Sequence, residues 1–210
     1  MNMGKLQIEK MVIGMVATNC YLVKNKETGA VLIIDPADCA QQIIAKIGQM
    51  QGTPEAVLLT HGHFDHIGAA AELKEHYGIP ICAFESEREI TESVSKNLSG
   101  LYGTGFTVTA DRCFKDGEHA ALAGFDVQVL HTPGHTLGSC CYYIAEEEVL
   151  FSGDTLFCCS VGRTDFPTGS MSQIHHSIHE KLIVLPEKTQ VYPGHDAMTD
   201  IGYEKMHNPY

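Results

Sequence analysis

The stretch THGHFDH, Thr60 to His66, decides how this chain reads. It sets His61, His63, Asp65 and His66 within six positions and follows directly on Ala56 to Leu59, an apolar run of strand character. Three later segments each place one ligand-type residue beside a glycine. They are His135 in TPGHT (132–136), Asp154 in FSGDTLF (151–157) and His195 in YPGHD (192–196). Four separate strand-like runs that end on such residues describe a two-metal hydrolytic site.

In extended backbone, residues two apart face the same side. His61 and His63 can therefore hold one cation while Gly62 lets the loop turn tightly above it. Asp65 and His66 then point toward a second cation. His135 would complete the first site and His195 the second, and Asp154 can bridge because a carboxylate has two oxygens to share. Imidazoles with carboxylates suit zinc foremost and also iron or manganese, so two divalent metal ions are the expected cofactors. Two such ions about 3.5–4 Å apart activate water and polarise a carbonyl together, with no serine or cysteine nucleophile. Asp65 and Asp154 are thus catalytic candidates as well as ligands, and the loaded site keeps enough positive charge to draw an anionic substrate.

Each residue taken alone has a plainer reading. Asp65 could cap a helix beginning near Ile67, and any one of the histidines by itself is more often an ordinary polar residue. The joint pattern carries the metal assignment. His175, His176 and His179 have metal-like spacing on a late helix, but they sit among Ser, Ile and Glu in an amphipathic pattern and read as a solvated or packed face. His76, His119, His131 and His207 belong to no motif.

The chain has 210 residues, enough for one sizeable core, and it shows no linker, repeat or low-complexity segment. A single domain spanning 1–210 is expected. The net charge of -12 at pH 7 and the lack of a basic patch argue against nucleic acid as partner and favour a small molecule. The N-terminal segment has no apolar run that reads as an export signal or membrane span, so a cytoplasmic location with no membrane partner is expected. The sequence leaves the oligomeric state open. Eight scattered cysteines without a CxxC pair read as free thiols. The doublets Cys140-Cys141 and Cys158-Cys159 should each turn one sulfur toward the core, and the second stands just past Asp154.

Along the chain, Lys5 to Val12, Asn19 to Lys24 and Ala30 to Asp35 read as an antiparallel meander with a polar turn at Asn25 to Gly29. Helical spacing follows over Ala37 to Met50, then the strand Ala56 to Leu59, then a helix from Ile67 to Tyr77 ended by Gly78 and Pro80. Glu85 to Thr104 weakens into a polar helix or loop that could serve as a lid. Strands are predicted at Phe106 to Thr109, Ala120 to Ala123, Phe125 to Leu130, Ser139 to Ile144, Val149 to Ser152 and Gln190 to Tyr192, with a late helix over Ser172 to Leu185. Alternating strands and helices place the chain in the α/β class, with helices flanking a mixed sheet.

The elements THGHFDH, TPGHT, SGDTLF and YPGH resemble the metallo-β-lactamase fold hydrolases. GRTDFPTG (162–169) and the terminal IGYEKMHNPY look like the short branch of glyoxalase II, the hydroxyacylglutathione hydrolases. The resemblance runs from about Asn19 to Tyr210. It implies an αββα sandwich of two mixed sheets flanked by helices, with the metals at one edge between the sheets. It also implies hydrolysis of a thioester such as S-D-lactoylglutathione. By this likeness His61, His63 and His135 carry the first metal, Asp65, His66 and His195 the second, and Asp154 bridges them.

Two departures stand out. Longer members of that family carry a C-terminal helical domain with basic residues for glutathione, and no such domain is expected here, which weakens the case for glutathione itself. Arg163 is the remaining cation for a substrate carboxylate, although it could equally pair with Asp165. Asp196 stands where this branch would have glycine and could orient His195.

The main competing reading is a persulfide dioxygenase of the same fold, with one iron held by His61, His135 and Asp154; it shares GRTDF and the HSxHEK-like stretch His176 to Lys181. β-Lactam hydrolysis fits an exported protein, and His63 disfavours the diiron oxygen-reducing branch, which has glutamate there. A non-catalytic metal-binding protein is the third alternative. Structural zinc sites, however, are usually closed by four Cys or His ligands, and this set contains two aspartates.

Overall fold

The computed structural model describes residues 4–210. Its first sheet contains, in order, β1 (Leu6–Ile13), β2 (Thr18–Asn25), β3 (Ala30–Ile34), β4 (Thr53–Leu58), β5 (Ile81–Phe84) and β6 (Arg112–Phe114). The first three strands form the antiparallel meander and the last three add on in parallel. The second sheet orders β14 (Thr199–Asp200), β13 (Gln190–Pro193), β10 (Val149–Gly153), β9 (Cys140–Ile144), β8 (Phe125–His131) and β7 (His119–Leu122). In it only β10 and β13 run parallel, so both sheets are mixed. A small hairpin pairs β11 (Leu156–Phe157) with β12 (Ser160–Val161).

The inner strands are apolar without a break because both of their faces are buried. In β3, Ala30, Leu32 and Ile34 face the second sheet while Val31 and Ile33 face the helices α1 (Ala40–Gln49) and α3 (Ala70–Tyr77). In β9, Cys140, Tyr142 and Ile144 fill the space between the sheets. Cys141 and Tyr143 pack outward with Leu182 and with Ile201 of the last helix, α6 (Ile201–His207). Three apolar layers alternating with two sheets make the αββα sandwich that the motifs imply.

Several elements differ from the sequence reading. The helix predicted over Ile67 to Tyr77 is two pieces, α2 (Phe64–Ile67) and α3, because the Ala69 N–H donates to the Pro36 carbonyl and leaves the helical ladder. The helix over Ala37 to Met50 begins only at Ala40, since Cys39 is left-handed at φ 55. Phe106 to Thr109 is a connector with no partner strand; β6 lies just beyond it and is too short to signal itself. Glu85 to Thr104 contains one helical turn, α4 (Arg88–Thr91), between tight turns. The late helix is α5 (Met171–Ser177), wound into a wider π turn over Ile178–Leu182. The doublet Cys140-Cys141 is buried on both sides of its strand, whereas Cys158-Cys159 forms the tip of the small hairpin and misses the core because a turn does not alternate faces.

Tyrosines from the inter-sheet layer pin the ends of ligand-bearing strands. The Tyr142 hydroxyl donates to the Leu59 carbonyl at 2.7 Å, and the Tyr21 hydroxyl donates to the Pro193 carbonyl at 2.7 Å. Both bonds are buried, so removing a hydroxyl strips a carbonyl of a partner where water does not replace it. Tyr142→Phe is expected to lower stability by about 1–3 kcal/mol, read from the urea midpoint at unchanged m. An unchanged midpoint would show that the bond contributes nothing.

Candidate metal centre

The ligand-type residues sit just past the carboxyl ends of β4, β8, β10 and β13. β8 and β10 both run antiparallel to β9, and β13 runs parallel to β10, so the last three of these ends share one edge of the second sheet. β4 supplies His61 to His66 from the facing sheet. Backbone bonds tie the two edges together: Cys140 N–H donates to Thr60 O at 2.9 Å, and Asn19 N–H donates to Gly194 O at 2.7 Å.

His61, His63 and His135 meet in mutually perpendicular pairs with ring centroids 4.7–4.9 Å apart. The Nδ1 of His63 faces the Nε2 of His135 at 2.9 Å. Beside this group the Nε2 atoms of His66 and His195 lie 3.4 Å apart, each within 3.6 Å of Asp65 Oδ2. Asp154 spans both groups. Its Oδ1 is 3.5 Å from His66 Nε2, and its Oδ2 is 3.6 Å from His135 Nε2 and 3.5 Å from His195 Nε2. All seven residues singled out in the sequence are therefore brought together, three on one side, three on the other and Asp154 between.

The donor set fits a pair of divalent cations. His61 Nε2, His63 Nε2 and Asp154 Oδ1 are buried with no hydrogen-bond partner, a costly arrangement unless something cationic satisfies such atoms. Outer hydrogen bonds also fix which nitrogens face inward. His66 Nδ1 donates to Asp35 Oδ2 at 2.9 Å, and His135 Nδ1 donates to the Arg163 carbonyl at 2.7 Å, so each ring turns its Nε2 toward the cluster. The Thr60 hydroxyl donates to Asp35 Oδ2 and can accept from His61 Nδ1 at 3.2 Å, which aims His61 Nε2 the same way.

The electrostatics favour the same picture. Burial, with neighbouring imidazoles, holds His61 far below the ordinary histidine range and drives His63 down to about 2. Burial also lowers His135, so these three rings are neutral donors. His66 is the exception. Burial opposes its charge, yet Asp154, Asp65 and Asp35 together lift it to about 10. Three carboxylates around one ring favour a positive charge there, whether a proton or a metal ion supplies it.

Two organising carboxylates escaped the sequence reading. Asp35, placed there only as a strand end, is buried, left-handed at φ 49, and also accepts Thr60 N–H at 2.8 Å. A carboxylate closing the wholly apolar β3 was the available signal. Glu87 falls in the segment whose shape the sequence left open. It is fully buried and accepts Gly62 N–H at 2.6 Å, the Thr136 hydroxyl at 2.8 Å and Gly138 N–H at 2.9 Å. One carboxylate thus clamps the His61–His63 loop to the His135 loop, and burial pushes its own pKa up to about 8. Gly62 must be glycine because a Cβ there would lie 2.8–3.1 Å from Thr91 and Glu87.

Of the two neighbours considered from the sequence, Arg163 takes one of the two arrangements weighed for it and Asp196 differs from its expected role. Arg163 makes a bidentate pair with Asp165, both bonds at 2.7 Å, and lies over the Phe166 ring. Asp196 is exposed and left-handed at φ 61, and its carbonyl, not its side chain, is held by Asn19 Nδ2 at 3.1 Å. It supports the loop through backbone and makes no hydrogen bond to His195 among the described residues.

Comparison with known proteins shows the family. The family model of the metallo-β-lactamase superfamily matches residues 13–195. The chain belongs to that superfamily. Its fold binds a dimetal centre, and the superfamily is one of metallo-hydrolases. The chain is 37% identical over 209 residues to the hydroxyacylglutathione hydrolase GloC of Haemophilus influenzae, covering 98% of each chain. Among solved structures it is similar to BLEG-1, a B3 metallo-β-lactamase, at TM-score 0.92 and 38% identity over 97% of this chain and 98% of that one. It is also similar to TTHA1623 in a di-iron-bound form, at TM-score 0.86 and 34% identity over 96% and 98%.

Asp35→Asn would present an amide N–H to His66 Nδ1 and move the ring proton to Nε2. It is expected to weaken metal binding about 10–100-fold, measured by competition with a chromophoric chelator. Glu87→Gln leaves one loop N–H without its acceptor and is expected to cost about 1–3 kcal/mol of stability in thermal unfolding. Wild-type behaviour of both variants would strip these carboxylates of their organising role.

Proposed function

We propose that this protein is a metal-dependent thioesterase, acting on thiol esters of the S-D-lactoylglutathione type. The observation that carries this reading is the cavity lined by five of the seven candidate ligands, His63, Asp65, His135, Asp154 and His195. It has a volume of about 440 Å³ and is walled by Val16, Phe64, Leu98, Tyr102, Phe157 and Phe166. Besides the ligands, the titratable groups lining it are Tyr102, Arg163 and Asp196, all exposed. The cavity therefore presents no buried general acid. A thiolate leaving group, with a thiol pKa of about 8.5, departs without one, whereas an amine does not.

Two divalent cations in such a centre supply a water-derived nucleophile at neutral pH and Lewis acidity at the acyl oxygen, zinc being the first candidate with iron or manganese behind it. The protein's own groups do the rest. His61, His63 and His135 on one side, and Asp65, His66 and His195 on the other, fix two ligand sets at their separation, with Asp154 shared between them. Asp65, which also accepts the Thr18 hydroxyl at 3.3 Å, lines the cavity at the second set, where a carboxylate can take a proton from attacking water. The aromatic walls, with Phe64 stacked on Tyr102 at 4.4 Å, give the acyl portion of a substrate an apolar surface to pack on. Arg163, although paired with Asp165, lines the cavity and can meet a substrate carboxylate. The likeness to GloC supports a glutathione-type carrier.

Hydrolysis of a small thioester panel by metal-analysed protein, followed at the released thiol, tests this reading. Oxygen uptake with a persulfide, one iron per chain and no thioester turnover would replace it with the dioxygenase. His63→Ala is expected to abolish hydrolysis and lower metal content in a folded protein, and chelation should do the same reversibly. Arg163→Ala should raise KM for acidic thioesters more than for neutral ones. Equal effects on both would confine it to holding its loop.

A further inference from the structure

Outside the histidine centre, one other group of described residues brings three metal-ligating side chains together: Cys158, Cys159 and Glu204, whose ligand atoms all lie within 4.8 Å of one another. We propose that this group is a second cation site, selective for a thiophilic d10 ion such as Cd(II), Zn(II) or Cu(I). It shares no residue with the histidine centre and does not depend on the hydrolysis proposed above.

The hairpin makes the pair. Cys158 and Cys159 are the two turn residues between β11 and β12, and Cys159 takes the left-handed conformation at φ 53. On a straight strand adjacent sulfurs would point to opposite faces; the turn brings them to the same one. A cation bonded to both sulfurs at about 2.3 Å in tetrahedral geometry holds them roughly 3.8 Å apart, within reach of the observed arrangement.

The third side chain comes from α6 and is itself held in place. Glu204 is buried. Its Oε2 accepts Cys159 N–H at 2.9 Å and Asn208 Nδ2 at 2.8 Å, and its Oε1 accepts the Thr199 hydroxyl at 2.5 Å. Oε1 thus retains a free lone pair. Asn208 Nδ2 also reaches the Ser160 carbonyl at 3.2 Å, so the helix grips both sides of the turn. The Tyr203 hydroxyl lies 3.7 Å from Cys159 Sγ and closes a fourth side.

Access and chemistry point the same way. Cys158 is exposed and Cys159 half-buried, so an ion reaches them from solvent, while Cys20, Cys82, Cys140 and Cys141 are buried. Two sulfurs select a soft ion over calcium or magnesium, and the carboxylate adds charge without altering that preference. Each bond formed to sulfur releases one thiol proton to solvent. The same hairpin contributes Phe157, Ser160 and Val161 to the catalytic cavity, so an ion at its tip would stiffen one wall of that cavity.

The test titrates Cd(II) alone into reduced protein loaded with two equivalents of zinc, where Cd(II) displaces any zinc held by sulfur, and follows the ultraviolet sulfur-to-cadmium charge-transfer band. The histidine centre contains no sulfur and is silent at this readout, so failure of the thioesterase reading leaves the result intact. The band is expected to saturate at one equivalent in the wild type, to vanish in Cys158→Ser and in Cys159→Ser, to bind more weakly in Glu204→Gln, and to persist in Cys113→Ser. Circular dichroism confirms that the variants are folded. A band that fails to saturate at one equivalent, or that survives in the Cys158→Ser/Cys159→Ser double variant, overturns the site.

Discussion

Five imidazoles and two carboxylates crowd one edge of the sandwich, most of them withdrawn from water, and several have lone pairs turned toward one another. Such a cluster is unfavourable by itself, because desolvation penalises the carboxylates and unpartnered nitrogens lose their hydrogen bonds to water. It persists because Asp35, Glu87 and the Arg163 carbonyl hold the outer sides of the rings and loops, leaving the inner atoms no other direction to face. The rest of the molecule makes that constraint possible.

The sandwich supplies rigidity at the right place. Ligand loops leave β4 in one sheet and β8, β10 and β13 in the other, and the edges are joined by backbone bonds at Thr60 and Gly194. Tyr21 and Tyr142 reach from the layer between the sheets to carbonyls at the loop roots, so packing of the core and placement of the ligands are one structure. Gly194 shows how little slack remains: a Cβ there would come within 2.2 Å of Asp154 Oδ1. The superfamily's dimetal hydrolase chemistry follows from this preorganisation, in which ligands are in place before substrate arrives.

Much of this was legible in the residues. Ligand types at short spacing beside glycines marked all seven positions, because a metal centre requires particular atoms and glycine lets backbone approach them. The apolar runs of β3, β4 and β9 marked strands buried on both faces. What was not legible lay where tertiary contacts override local pattern. The break between α2 and α3 depends on the Pro36 carbonyl, distant in sequence from Ala69. The Phe106–Thr109 segment had strand composition but no partner strand. Glu87 sits in a segment with no periodicity, and its role appears only when two loops, 25 residues before it at Gly62 and 51 after it at Gly138, close around it.

The sequence by itself determined the candidate ligand set, the α/β class and, through its resemblance, the superfamily, since each depends on residue identity over a few positions. Only the tertiary structure decided which nitrogens face inward, that Asp35 and Glu87 organise the loops, that Arg163 is paired with Asp165, and that Cys158 and Cys159 share a turn with Glu204. Those facts depend on hydrogen bonds and approaches between residues far apart in the chain. No local pattern records them, because burial and partner are properties of the folded molecule.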